Sequence, residues 1–74
     1  MLEQLKELIL NYVEVEDEEI VPSARFSEDL GFNSYDFMCM LGDAEDEFDV
    51  EIDEAEAGKC RTVEELIDYL EAQK

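Results

Sequence analysis

The sequence has 74 residues and carries 23 acidic against 5 basic residues, a formal net charge of −18 at pH 7. A chain of this length forms one small domain with a thin core, so we expect a single domain over residues 1–74 and no deep catalytic cleft. Phosphates repel such a charge, which argues against nucleic acid as a partner. The charge favours basic protein surfaces instead, because long-range attraction steers them to the chain.

Several residue types needed for catalysis or metal binding are absent or scarce. The sequence has no histidine, which removes Ser-His catalysis and histidine-ligated zinc. Two cysteines are too few for a disulfide framework and too far apart for a CxxC motif, so we expect a reducing, cytoplasmic location. Charged residues interrupt the first apolar positions, and no apolar run reaches the roughly 20 residues of a membrane span. We therefore expect neither a signal peptide nor a membrane span.

Apolar residues at helical spacing predict a first helix over about residues 2–14. The following segment, residues 16–33, loses this period and is interrupted by Pro22 and Gly31. It predicts a long connection with one short turn at residues 27–30. We expect this connection to be packed on the core by its apolar members, which are Ile20, Val21, Phe26, Leu30 and Phe32.

A second helix is predicted to begin at Asn33, a favourable N-cap residue. Its spacing gives two apolar stripes, of which the longer one is expected to face the core and the shorter one to face outward. The core stripe comprises Phe37, Met40, Leu41, Ala44 and Phe48. The outward stripe comprises Tyr35, Met38, Cys39 and Gly42.

The last third of the chain carries clear signals for helix ends. Residues 49–53 alternate acidic and apolar but have no partner strand, so we expect a loop there. Asp53 is predicted to cap a single turn over residues 54–57, which Gly58 ends. Thr62 and Glu65 form a capping box that starts the final helix, and this helix is predicted to end at about Glu71. The fold class is therefore all-α, a small bundle of three main helices and one short helix.

Calcium binding and catalysis are the alternatives that the acids suggest. An EF-hand loop needs glycine at its sixth position, but loops starting at Asp43 and Asp49 carry Phe48 and Glu54 there. We predict no metal ligands, although loose calcium binding to clustered carboxylates stays open. Paired carboxylates act as acid and base only in a pocket that excludes water, which this short chain cannot build. We predict no catalytic residues and no enzymatic activity.

Ser34 is the main functional candidate. It follows the long connection and lies at the start of the second helix, where backbone N–H groups and the helix dipole favour an anion. A phosphodiester on this serine would be stabilised there, and the alternative is a simple capping role. The cysteines are weaker candidates: we expect Cys60 to be a small buried apolar residue and Cys39 to face solvent or a partner.

The residues around Ser34 resemble the signature of acyl carrier proteins. Residues 26–36 read F-S-E-D-L-G-F-N-S-Y-D, where that family has F-x-E-D-L-G-x-D-S-L-D. Residues 45–52 resemble its E-x-E-F-x-x-x-I segment, and residues 62–70 resemble its T-V…I-D-Y-I/L ending. The resemblance implies a four-helix bundle in which Ser34 bears covalent 4′-phosphopantetheine, whose thiol carries acyl groups as thioesters.

The resemblance also implies partners and further site residues. The partners are a phosphopantetheinyl transferase, acyl-processing enzymes with basic surfaces, and acyl chains, most simply in fatty-acid or related lipid synthesis. The residues expected to bind partners are Tyr35, Asp36, Met38, Cys39, Asp43, Asp46 and Glu47. Those expected to shelter an acyl chain are Phe37, Met40, Leu41, Ala44 and Ile67. We expect a monomer.

The chain departs from the family pattern at four positions. Asn33 replaces an aspartate, Tyr35 replaces a leucine, and Cys39 and Gly42 replace an acid and a bulky apolar residue. These changes leave the fold expectation intact but favour a specialised carrier. A carrier for a polyketide or aminoacyl pathway is therefore one alternative, and an unmodified acidic interaction module is the alternative from another class.

Overall fold

The computed structural model describes residues 2–73, which form an all-helical bundle. Its helices are α1 (Leu2–Leu10), α2 (Ser34–Phe48), α3 (Glu54–Ala57) and α4 (Val63–Ala72), with a 3₁₀ turn at Asp17–Glu19. Within the described residues no β-strand is present, and the only β-type pairing is an isolated bridge between Arg25 and Thr62. The prediction of three main helices and one short helix is confirmed.

Helix α1 is shorter than predicted. It ends at Leu10, and the N–H groups of Asn11 and Tyr12 donate to carbonyls only three residues back, at Leu8 and Ile9. Tyr12 and Val13 nevertheless remain half-buried against the core. The spacing of apolar residues therefore predicted correctly that Tyr12 and Val13 face the core, although both lie beyond the end of the helix. Asn11 and the β-branched Val13 have lower helix propensity than the preceding leucines, which agrees with an end here.

The core draws on all four helices and on the long connection. It comprises Leu5, Leu8, Ile9, Ile20, Ala24, Phe26, Leu30, Phe32, Met40, Leu41, Ala44, Ile52, Ala57, Val63, Leu66 and Leu70. Four of the five predicted anchors of the connection are buried, but the prediction for Val21 was wrong, since it is 41% exposed. Ala24 is buried instead, because its carbonyl accepts from the Val63 N–H at 3.0 Å and holds this part of the connection against α4.

The long connection is fixed along the start of α4. In addition to the Ala24 bond, the Glu64 N–H donates to the Pro22 carbonyl at 2.8 Å, and the Phe26 N–H donates to the Arg61 carbonyl at 2.9 Å. The bonds from Val63 and Glu64 satisfy N–H groups that the first turn of a helix leaves without intrahelical partners. Together with the Phe26 bond, they also bring residues 25–28 beside the segment that precedes α4.

The approach to α2 is fixed by a glycine and three phenylalanines. Gly31 has a φ of +80°, in the left-handed region that favours glycine. The rings of Phe26 and Phe32 lie 5.7 Å apart and those of Phe26 and Phe37 lie 5.1 Å apart, measured between centroids. The cluster joins the end of the connection to the first turn of α2, so the orientation of that turn is set by packing.

Helix α2 begins as predicted. The Asn33 side chain accepts from the Asp36 N–H at 2.7 Å, and Asp49 ends the helix in a left-handed conformation. Met40, Leu41 and Ala44 are buried, while Phe37 and Phe48 are half-buried against the core. The shorter stripe faces outward, with Tyr35 76% exposed, so the two predicted faces are confirmed.

The predicted caps of the last two helices are also present. Asp53 accepts from the Ala55 N–H at 2.9 Å at the start of α3. Thr62 accepts from the Glu65 N–H at 3.2 Å, and the Glu65 carboxylate accepts from the Thr62 N–H at 3.1 Å. This capping box starts α4, which runs one residue beyond the predicted Glu71.

Candidate functional site

Ser34 is the first residue of the 15-residue helix α2 and is exposed. The capping bond from Asn33 goes to the N–H of Asp36, so it does not involve the two preceding N–H groups. Among residues 2–73, no group accepts a hydrogen bond from the backbone N–H of Ser34 or Tyr35. Both donors and the helix dipole therefore remain available to an anion attached at the Ser34 Oγ.

An open groove with a volume of about 770 Å³ lies beside Ser34. It is lined by residues 25–28 and 32–34, by Phe37 and by residues 58–61. Its aromatic surface comes chiefly from the half-buried Phe37, because Phe26 and Phe32, which also line it, are only 4% and 5% exposed. The segment between α3 and α4 contributes its polar part. The hydrogen bond from Phe26 to Arg61 joins the two segments that border it.

The charge of this groove is opposite to that of the chain. Three cations line it, Arg25, Lys59 and Arg61, against a single acid, Glu28. Arg25 is fully engaged by neighbours, because it donates to Glu28 at 2.7 Å and from two nitrogens to Asp29 at 3.1 Å. The hydrogen bonds from Arg25 lower the pKa of Asp29. This cluster holds the connection in place, and its single cation is shared between two acids.

Lys59 and Arg61 are less engaged. The Lys59 Nζ is exposed and lies 3.9 Å from Glu56, at the limit of an ion pair. Within the described residues, the Arg61 guanidinium has no acidic oxygen within 4.0 Å. Between them, Cys60 is half-buried, packs against the core and lines the groove, so the prediction of a small buried apolar residue was wrong about full burial. Burial raises the pKa of the Cys60 thiol.

The residues predicted to meet partners lie together on α2. Tyr35, Met38, Asp43, Asp46 and Glu47 are exposed, and Asp36 and Cys39 are half-buried. We call this surface the acidic face.

One contact of the acidic face was missed at the level of sequence. The Tyr12 hydroxyl donates to the Asp43 carboxylate, and this hydrogen bond raises the pKa of Tyr12 to about 12. The contact joins α2 to the segment that follows α1. Residues 12 and 43 are too distant in the sequence for any local pattern to reveal it.

The residues predicted to shelter an acyl chain do not lie around the groove. Of the five, Phe37 alone lines it. Met40, Leu41 and Ala44 are fully buried in the core, and Ile67 is half-buried against it. A chain among these residues would require the core to open, so this pocket stays a prediction.

The comparison with known families identifies the family of this chain. Residues 3–70 match the family model described as phosphopantetheine attachment site. The chain belongs to this family. It is therefore a carrier protein whose domain holds covalent 4′-phosphopantetheine, as the resemblance to acyl carrier proteins implied. Carrier domains of this family are generally not catalytic.

The surroundings of Ser34 fit the group that this family carries. Its phosphodiester would meet two free N–H groups at the N-terminus of α2, and its chain would meet an open groove with an aromatic surface. Residues 2–73 include no helix long and apolar enough to cross a bilayer. In the same part of the chain, no three His, Cys, Asp or Glu side chains are grouped so as to hold a metal ion.

Proposed function

We propose that Ser34 is the attachment residue and that the chain carries acyl groups in fatty-acid or related lipid synthesis. The observation that supports this most is the exposed Ser34 hydroxyl at the first position of α2, beside two N–H groups without acceptors. When bound, the group supplies a thiol to which acyl groups are joined as thioesters. The chain itself supplies the attachment point, the folded support and the surface that partners recognise.

Attachment requires another enzyme. The Ser34 Oγ attacks the phosphorus of coenzyme A that bears the pantetheine chain; the new Oγ–P bond forms, the pyrophosphate P–O bond breaks, and adenosine bisphosphate leaves. The hydroxyl proton must pass to a base, and no acid or base of residues 2–73 is hydrogen-bonded to the Ser34 hydroxyl. A phosphopantetheinyl transferase would supply that base. The acidic face beside Ser34 would attract the basic surface of such an enzyme.

A specialised pathway is the second candidate. Asn33 and Tyr35, which flank Ser34, both differ from the family pattern, and the Tyr35 ring is the most exposed large apolar side chain described. A partner that binds at the attachment point meets this ring, and the two departures favour a specialised pathway, such as a polyketide or an aminoacyl one. The cytoplasmic location also stays a prediction, supported by two free cysteines.

The attachment residue is tested by intact mass. We expect a broad-specificity transferase with coenzyme A to add one phosphopantetheine to the native chain and none to Ser34→Ala. Ser27→Ala is a matched control, because Ser27 is also exposed and lines the same groove. It should be modified normally. Circular dichroism should show native helix content in both variants, since each loses only a hydroxyl.

An adduct that persists in Ser34→Ala would contradict the attachment residue. A panel of transferases that leaves the native chain unmodified would contradict the carrier function and favour the acidic interaction module. The pathway is tested separately, by offering the modified protein to enzymes that load fatty acyl, polyketide or aminoacyl groups. Loading by the last two classes alone would contradict the fatty-acid assignment.

A further inference from the structure

The two cations Lys59 and Arg61 are weakly engaged in the fold. Lys59 reaches Glu56 at 3.9 Å, and Arg61 attracts Glu65 without forming an ion pair. Arg25 shows how a structural cation behaves in this chain, since it pairs with both Glu28 and Asp29. Arg61 makes no such pair within the described residues, although the sequence offers 23 acids. Its guanidinium is therefore available to an anion from outside the chain.

The backbone beneath these cations is well fixed. The Arg61 N–H donates to the Glu65 carboxylate at 2.9 Å, and the Arg61 carbonyl accepts from Phe26 at 2.9 Å. The Lys59 N–H donates to the Glu56 carbonyl at 3.1 Å. Both side chains thus extend from a positioned segment and line the groove that Ser34 also lines.

We propose that Lys59 and Arg61 bind the phosphodiester on Ser34 and hold the adjoining part of the arm against the aromatic surface of the groove. This inference rests on the proposed attachment at Ser34. A guanidinium matches two phosphate oxygens at once, and an ammonium adds a point charge. In a chain of net charge −18, these cations offset the repulsion that the attached phosphate would otherwise meet.

The shape and chemistry of the groove suit this occupant. Its volume of about 770 Å³ lies within the roughly 300–1,000 Å³ of small-molecule sites, which combine apolar surface with a few polar groups. The half-buried Phe37 ring offers apolar surface for the branched methyl groups of the arm. The acid in the groove, Glu28, is paired with Arg25 at 2.7 Å, which offsets part of its repulsion towards an attached phosphate.

The test compares backbone amide NMR spectra before and after attachment. In the native protein at low salt, we expect attachment to shift the amide signals of residues 58–61, and high salt to reduce that shift. Lys59→Gln with Arg61→Gln should still be modified at Ser34 but lose the shift. The conservative exchange Lys59→Arg with Arg61→Lys should restore it, because both charges remain.

A charge-matched control separates local contact from net charge. Gln4→Glu with Gln73→Glu reaches the same net charge as the double glutamine variant, at residues that do not line the groove. It should keep the native shift. The inference is overturned if the native adduct leaves residues 58–61 unshifted, or if the glutamine variant, with native α1 signals, keeps the full shift. No adduct on the native chain would overturn both this inference and the proposed function.

Discussion

The two sides of Ser34 differ in both charge and construction. On one side, the acidic face presents Asp36, Asp46 and Glu47 from the single helix α2. On the other side, the groove presents Lys59 and Arg61 from the segment before α4. The net charge of −18 has the sign of the first side and does not reveal the cations on the second. A strongly acidic chain can therefore have two adjacent surfaces of opposite charge, one suited to a basic protein and the other to a phosphate.

The two sides also differ in how they depend on tertiary contacts. The acidic face needs only that α2 is a helix with its apolar stripe buried. The groove exists because the long connection lies along the start of α4, held by bonds such as Phe26 to Arg61. Damage to the second side should therefore leave the first intact, and the following variants address each side in turn.

The largest effect is expected on the acidic face. Asp46→Lys with Glu47→Lys should lower the kcat/KM of a phosphopantetheinyl transferase about tenfold or more at low salt, because steering by the acidic face is lost. Glu14→Lys with Glu18→Lys makes the same change in net charge away from α2 and should have much less effect. Equal losses in both variants would show that net charge, and not this face, governs the encounter.

The next effect concerns the groove side. Thr62→Ala removes the N-cap hydroxyl that accepts from Glu65 and should lower the free energy of unfolding by about 1 kcal/mol. Thr62→Ser keeps the hydroxyl and should lose much less. Urea denaturation measures both, and transferase kinetics should be unchanged while the protein is folded. A large kinetic loss in folded Thr62→Ala would show that the two sides are coupled.

A smaller effect distinguishes two glycines, one on each side. A Cβ at Gly42 on α2 would meet no atom within 4 Å, so Gly42→Ala should stabilise the protein by roughly 0.5–1 kcal/mol. A Cβ at Gly58 would lie 3.0 Å from the Glu54 carbonyl oxygen, so Gly58→Ala should gain less or lose stability. Thermal unfolding of the two variants tests this order, and a reversed order would contradict it.

The smallest effect is a pH dependence at the edge of the acidic face. The raised pKa of Tyr12 means that the folded chain holds the phenol proton more tightly than the unfolded chain, whose pKa is near 10.0. Stabilisation by the Tyr12–Asp43 bond is therefore complete below pH 10 and is lost as the pH rises towards about 12. The stability difference between native protein and Tyr12→Phe should shrink across this window. Tyr35→Phe, which removes an exposed hydroxyl without a hydrogen bond in the described structure, should show no such change.

Much of this protein follows from local sequence. The start of α2 at Asn33, the turn capped by Asp53 and the capping box of Thr62 and Glu65 were all predictable. Each depends on residues within one helical turn, whose side chains satisfy neighbouring N–H groups directly. The motif around Ser34 is equally local, so the family was identifiable before the fold was known.

Other features were decided only by tertiary structure. Val21 faces solvent while Ala24 is buried, because bonds to α4 set the path of the connection. Two hydrogen bonds join residues more than 30 positions apart in the sequence: the bond between the Tyr12 and Asp43 side chains, and the backbone bond from Phe26 to Arg61 that borders the groove. No local pattern encodes such pairs, because they form only when packing of the apolar faces brings separate segments together and fixes which charges become neighbours.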